Sequence, residues 1–426
     1  MFDIKLLREN PELIRVNLRK RRDLEKISWV DDALAYDAKW RKTLTDINLL
    51  RKKRNILTEE VSMLKKERKD VTEKIKEARR ISANIPHLEN DVKVYRAKID
   101  YILMRLPNIM HATVPFGEDD TGNVEIRRWG EISNFKYKVK DHIDLALALD
   151  LVDLDRAAKV SGARFYYLKN ELVQLNYALI KYALDFIVEK GFALYQPPYL
   201  LKRKAISGAI ALFDFEDVIY KIADEDLYLI GTSEHALLAL HMDEILNGND
   251  LPLKYAAIST CFRKEAGSHG RDTKGIFRVH QFEKIEQFIF SNPEDSWAEH
   301  QRLITNAEEF FRQLKLPYRI VNVCSGDLGI MAAKKYDLEA WLPGQNMYRE
   351  MVSCSNCTTY QAVRAKIRYR DKSNDPTDYV HTLNSTLVAT ERTLIAIMEN
   401  YQQEDGSINI PDVLVPYMKG ISEIKP

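Results

Sequence analysis

Residues 261–288 read CFRKEAGSHGRDTKGIFRVHQFEKIEQF, and the fold is decided there. The period-two pattern predicts a strand over Tyr255–Arg263 that closes on Arg263-Lys264-Glu265. A polar, glycine-containing loop covers about 266–275, and a second strand returns over Ile276–Phe290. On that strand Arg278, His280, Phe282, Lys284 and Glu286 alternate onto one face. A solvated strand has no use for a phenyl ring, an acid and several bases on one side. A platform for a flat, anionic ligand does. Arg263 can hold a phosphate or carboxylate in a fork. Phe282 can stack on a base, and Glu286 can accept from an ammonium.

Outward from this hairpin the chain alternates helices and strands. Glu171–Lys190 is an amphipathic helix ended by Gly191. Strands follow at Phe192–Gln196 and Leu227–Ile230, then a helix over Glu234–Leu246. Trp297–Leu314 is helical. Tyr318–Val323, Asp337–Trp341, Tyr348–Cys354 and Tyr379–Leu383 are strands, and Arg392–Tyr401 is a final helix. Strands outnumber helices and neighbours can pair antiparallel. Residues 171–426 are thus expected to form an α+β domain on a mainly antiparallel sheet flanked by helices. Residues 111–170 read as a connector. No P-loop or dinucleotide fingerprint is present.

Upstream the pattern is different. Residues 1–22 suggest a strand-like start and a short helix, with Asn10-Pro11-Glu12 as its N-terminal signal. From 31 to 106, Ala33, Tyr36, Trp40, Thr43, Ile47, Leu50, Arg54, Leu57, Val61 and Leu64 step by threes and fours. Leu88, Val92, Tyr95, Ile99, Ile102 and Leu106 form a second such seam. Two matched seams predict an antiparallel coiled-coil hairpin within an N-terminal domain of residues 1–110. Its turn falls at Lys65–Asp70, with Pro86 kinking the return, or else at residues 82–87. Each arm would reach about 50 Å, too long for a globular core.

The 426 residues carry 64 Lys and Arg against 63 Asp and Glu, which excludes a globally polybasic protein. The balance is local. Residues 1–110 hold 27 bases and 18 acids, a net charge of +9, and the remainder is −8. Residues 51–80 alone are +6. A basic module on an acidic body attracts polyanions, although a coiled-coil spacer with a solvated face also fits. No apolar run approaches the roughly 18 residues of a membrane span. The first twenty residues lack a signal-peptide core. The 4 cysteines are no disulfide framework, which points to a reducing cytoplasm.

The 261–288 stretch resembles motif 2 of the class II aminoacyl-tRNA synthetases, in the form found in seryl-tRNA synthetases. Gln196-Pro197-Pro198-Tyr199-Leu200 resembles motif 1, with Pro198 the better match to its interface proline. Asn384-Ser385-Thr386-Leu387-Val388-Ala389-Thr390-Glu391-Arg392 resembles motif 3. Ser385, Leu387 and Ala389 stand where glycines often occur, as in the archaeal and eukaryotic forms. Gly231-Thr232-Ser233-Glu234 resembles the loop that holds serine.

The resemblance implies a homodimeric enzyme that uses ATP and Mg²⁺ to activate L-serine and charge tRNA(Ser), and by analogy tRNA(Sec), through the basic arm. It implies that Arg263 holds the α-phosphate and the serine carboxylate, and that Glu265 contacts adenine with Phe282 stacked on it. Lys264, Val279, His280 and Gln281 would line the same segment. Arg392 would hold the γ-phosphate, and Glu350 and Ser353, flanking Met351 and Val352, would ligate Mg²⁺. Thr232, Ser233, Glu234, Glu286, Asn384 and Thr386 would surround serine. Arg263, Glu286 and Arg392 would carry the chemistry.

Taken singly, these residues are ordinary. Arg392 is a helix-start residue, Glu350 a surface charge and Thr386 a strand residue. His269 and His280 would be structural, Cys354-x-x-Cys357 has no second pair to make a zinc site, and Tyr166-Tyr167 and Tyr369 read as packing. Two rival functions remain: a synthetase-like ligase serving a carrier protein, and a non-enzymatic coiled-coil scaffold.

Overall fold

The computed structural model describes residues 1–210, 217–265 and 275–426. The loop expected at about 266–275, with His269, falls outside them except for Gly275. The described chain divides into two compact units, Met1–Ile109 and Met110–Pro426.

In the first unit, α1 (Ile4–Glu9) and α2 (Pro11–Lys20) precede two long helices, α3 (Ile27–Lys66) and α4 (Thr72–Leu103). The strand-like start is corrected to helix: Asp3 accepts from the Lys5 amide and caps α1. Helices α3 and α4 form the expected hairpin. Every residue of both seams is buried or half-buried, Arg54 included. The chain turns just beyond Lys65-Lys66, where Arg68 takes φ +56° and Asp70 accepts from the Thr72 amide and hydroxyl. No turn forms at 82–87: α4 runs through Pro86, which is exposed.

The second unit is built on eight strands: β1 (Val124–Trp129), β2 (Ala193–Tyr195), β3 (Leu253–Phe262), β4 (Gln281–Ser291), β5 (Tyr318–Asn322), β6 (Lys334–Leu342), β7 (Met347–Asn356) and β8 (His381–Ala389). They lie in the order β1-β5-β6-β7-β8-β4-β3-β2. All neighbours are antiparallel except β2 and β3. Helices α5 (Asn170–Glu189), α6 (Ser296–Gln313) and α7 (Thr390–Tyr401) cover one face. Leu175, Phe310 and Ile395 from these helices meet Ile285, Leu338 and Leu383 from the sheet in the main core.

Several elements differ from the sequence reading, among them the strand expected over Tyr379–Leu383, which runs over His381–Ala389. The returning strand starts at Gln281 rather than Ile276. Ile276, Phe277 and Val279 are all buried, a spacing that one face of a strand cannot accommodate. The helix from Glu234 stops at Leu240, and Ile245–Asn247 pairs instead with Arg368–Arg370. Residues 111–170 are more than a connector: they supply β1 and a helix at His142–Ala148.

Candidate active site

Strand β4 divides its side chains by period two. Ile285 and Ile289 enter the helix-covered core, while Phe282, Lys284 and Glu286 face a cavity of about 490 Å³ on the other side. That cavity gathers Thr232, Glu234, Arg263, Glu265, Val279, Glu350, Met351, Ser353, Asn384, Thr386 and Arg392 as well. These residues come from six separate stretches of chain.

Two irregularities in the sheet make this possible. Glu350 and Ser353 are three apart, so a regular strand would point them to opposite faces. The β6–β7 register pairs Leu338 with Val352 and Glu339 with Glu350, leaving Met351 as the extra residue of a bulge. That restores both oxygens to the cavity side. Leu387 is likewise skipped between Thr386 and Val388. Thr386 before the bulge and Ala389 after it therefore both line the cavity.

One end of the cavity is cationic. Arg263 donates from Nε to the Gly231 carbonyl at 3.0 Å, and its guanidinium lies 5.2 Å from the centre of the Phe282 ring. Arg392, in the first turn of α7, donates to the Glu350 carbonyl at 2.8 Å. Phe277 stands between Arg349 and Arg392, at 4.1 and 4.9 Å from its ring. Enclosure raises the Glu350 carboxyl, but Arg392, Lys335 and Arg263 outweigh it and hold Glu350 below the usual carboxylate range. Asp337 is driven the other way, to about 7, by burial, against the pull of Lys335. Glu350 and Ser353 offer two hard oxygens beside this cluster, a donor set that suits Mg²⁺ completed by water and phosphate.

The other end is small and polar. Thr386 donates to Glu286 Oε2 at 3.2 Å, and Lys284 pairs with the same oxygen at 2.5 Å. Glu234 accepts from Gln361 at 2.6 Å and from Asn384 at 3.1 Å. Burial, with Glu286 nearby, raises the Glu234 carboxyl to about 7.

Five residues of the expected set do not line this cavity. Ser233 is buried and donates to the Ala257 carbonyl at 3.4 Å. Val352 packs in the core. Lys264 lies 6.0 Å from the Tyr220 ring, and Gln281 is exposed. His280 bonds through Nδ1 to the Arg263 carbonyl at 2.9 Å. Phe277, Lys335, Asp327 and Glu391 line the cavity without having been singled out for it. The alternation of Lys335 and Asp337 along β6 was a legible signal for Lys335. Cys357 also reaches the cavity. Among the described residues no cluster of three or more His, Cys, Asp or Glu side chains could hold a metal.

Comparison with known proteins gives a consistent result. Residues 213–401 match the tRNA synthetase class II core domain (G, H, P, S and T), and residues 1–110 match the seryl-tRNA synthetase N-terminal domain. The serine--tRNA ligase of Pyrococcus horikoshii is 52% identical, covering 100% of this chain and 98% of its own. That of Nitrosopumilus maritimus is also 52% identical, covering 100% of each. A crystal structure of the P. horikoshii seryl-tRNA synthetase complexed with ATP superposes with a TM-score of 0.95 over 100% of both chains. The cytoplasmic serine--tRNA ligase of Naegleria fowleri, in complex with AMP, gives 0.89 at 37% identity, over 100% of this chain and 99% of that one.

Proposed function

The chain belongs to the seryl-tRNA synthetase family, and we infer that it is a serine--tRNA ligase. It activates L-serine with ATP and transfers the seryl group to tRNA(Ser). The observation that carries this reading is the convergence of Arg263, Phe282, Glu350 and Arg392 on one cavity whose far end holds Thr232, Glu286, Asn384 and Thr386.

The chemistry follows from charge and position. Adenine stacks on Phe282 beside Glu265. Arg263 draws the α-phosphate and the serine carboxylate together, so that a carboxylate oxygen attacks phosphorus in line and pyrophosphate leaves. Arg392 takes the γ-phosphate at the start of α7, where the helix dipole helps. Glu350 and Ser353 would hold Mg²⁺, which would supply neutralising charge on the phosphates. No protein nucleophile is needed, because positioning and electrostatic stabilisation lower the barrier. Serine's ammonium and hydroxyl meet Glu286, Glu234, Thr232 and Asn384. Such a site rejects alanine by roughly 10⁴-fold through unpaired polar groups.

The arm grips tRNA through its backbone, the protein works as a homodimer, and its place is the cytoplasm. A carrier-protein ligase has no need of an N-terminal domain of this type, and a scaffold has no need of the cavity. ATP–pyrophosphate exchange with serine, alanine, glycine and threonine, followed by charging of total tRNA, tests the reading. Serine-dependent exchange with charging is expected. Exchange without charging returns the carrier ligase, and no exchange at all returns the scaffold.

A further inference from the structure

The segment Arg164-Phe165-Tyr166 lies outside every motif considered above, yet it touches both halves of the nucleotide site. The Arg164 carbonyl accepts from the His280 amide at 3.1 Å. Its guanidinium donates to the Glu265 carbonyl at 3.0 Å. Glu265 has φ +50°, a left-handed backbone that a side-chain-bearing residue adopts at a cost. The Phe165 ring packs 5.1 Å from His280, and His280 in turn bonds the Arg263 carbonyl. One residue on, the Tyr166 hydroxyl donates to Glu391. The Glu391 carboxylate also accepts from the Glu283 amide at 3.1 Å and from Thr390 at 3.1 Å. So Glu391 pins β4, next to Phe282, to the start of α7, next to Arg392.

We propose that Arg164 and Tyr166 are positioning residues for ATP: one fixes the base of the β3–β4 loop behind Arg263 and Glu265, the other sets the spacing of Phe282 and Arg392. Neither lines the cavity, so both act through the residues that do. The contacts of the segment described above, with His280, Glu265 and Glu391, fall on the residues that flank Arg263, Phe282 and Arg392. The inference rests on the ATP site proposed above and adds residues of 111–170 to it.

The test measures serine-dependent pyrophosphate exchange and ATP affinity in Arg164→Ala, Arg164→Lys and Tyr166→Phe. Tyr182→Phe serves as control, since it also removes a phenol hydroxyl bonded inside the second unit, to Gln313, and neither residue lines the cavity. For Arg164→Ala and Tyr166→Phe, KM for ATP should rise about tenfold, the loss of one charge-assisted hydrogen bond. KM for serine should stay within about twofold, and Arg164→Lys should recover part of the loss. Tyr182→Phe should lower thermal stability and leave KM for ATP unchanged. If Arg164→Ala fails to fold, Tyr166→Phe and Arg164→Lys carry the comparison. Unchanged ATP parameters in these variants, or equal losses for ATP and serine, overturn the proposal. An unaltered protein that shows no serine-dependent exchange overturns the functional reading instead.

Discussion

Arg263 sits where the fold leaves it no substitute. It is bonded to the Gly231 carbonyl, stacked by Phe282, and the residue on which both reactants are proposed to converge. Arg263→Lys keeps the charge and loses the planar fork. Serine-dependent exchange should fall by about 10²–10³-fold with the melting temperature nearly unchanged, as steady-state kinetics and calorimetry would show. Glu234 makes a second prediction, set by pH. Its carboxyl is raised to about 7 by burial and Glu286, against Gln361, Lys284 and Arg263. Below that pH it is neutral, and above it offers a full charge to serine's ammonium. KM for serine should therefore rise as pH falls from 8 to 6, by up to about tenfold per unit, and Glu234→Gln should flatten the profile. The sign for stability is opposite. The fold holds this proton more tightly than the unfolded chain does, so Glu234's contribution is present near pH 4.5 and lost as pH rises through 7.

At the scale of elements, the arm and the sheet differ in how openly the sequence declares them. The seams of α3 and α4 repeat over many turns, so the hairpin could be read residue by residue, even through the charged Arg54. Pro86 was harder to read. A proline removes one helical hydrogen bond, but exposure lets water take the orphaned carbonyl and packing of Ile81 and Ile85 against Leu57 carries the helix through. Pro86→Ala should thus stabilise α4, by up to about 3 kcal/mol, seen as slower amide exchange over residues 80–90. In the sheet, period two revealed the Phe282, Lys284 and Glu286 face. It could not reveal the bulges at Met351 and Leu387, since a skipped residue leaves no compositional mark. Without them, Glu350 and Ser353 read as residues on opposite faces, joined only by family resemblance. Arg164 and Tyr166 were illegible for a related reason: their partners are backbone groups and a buried carboxylate more than a hundred residues away.

Across the whole molecule, charge and apolar surface divide the work. The net +9 of residues 1–110 is partly spent within the arm, where Arg51–Glu89, Lys53–Glu77 and Lys74–Glu60 pair. Lys65, Lys66 and Arg68 stay exposed at the turn. Replacing these three by Gln should weaken tRNA binding and flatten its salt dependence by up to about three units of slope, while leaving serine-dependent exchange intact. Loss of exchange with tRNA binding preserved would reverse the assignment of roles. The second unit makes a different demand. Strand β2 ends the sheet, and around it Leu194 and Leu200 are 45% and 41% exposed. Tyr177 and Val188 of α5 are exposed as well. An open edge strand with apolar side chains invites pairing with another chain, and this stretch runs into Pro198, the residue aligned with the interface proline of motif 1. A second copy of the chain is the occupant that the homodimer reading requires. Sedimentation of the unaltered protein should give about twice the 49.5 kDa of one chain. Leu194→Asp on that edge, with Leu200→Asp in the stretch that follows it, introduces carboxylates whose burial without partners costs several kcal/mol. The double variant should sediment as one chain and lose exchange activity. A single-chain mass for the unaltered protein with full activity would show that the active site is complete without its partner.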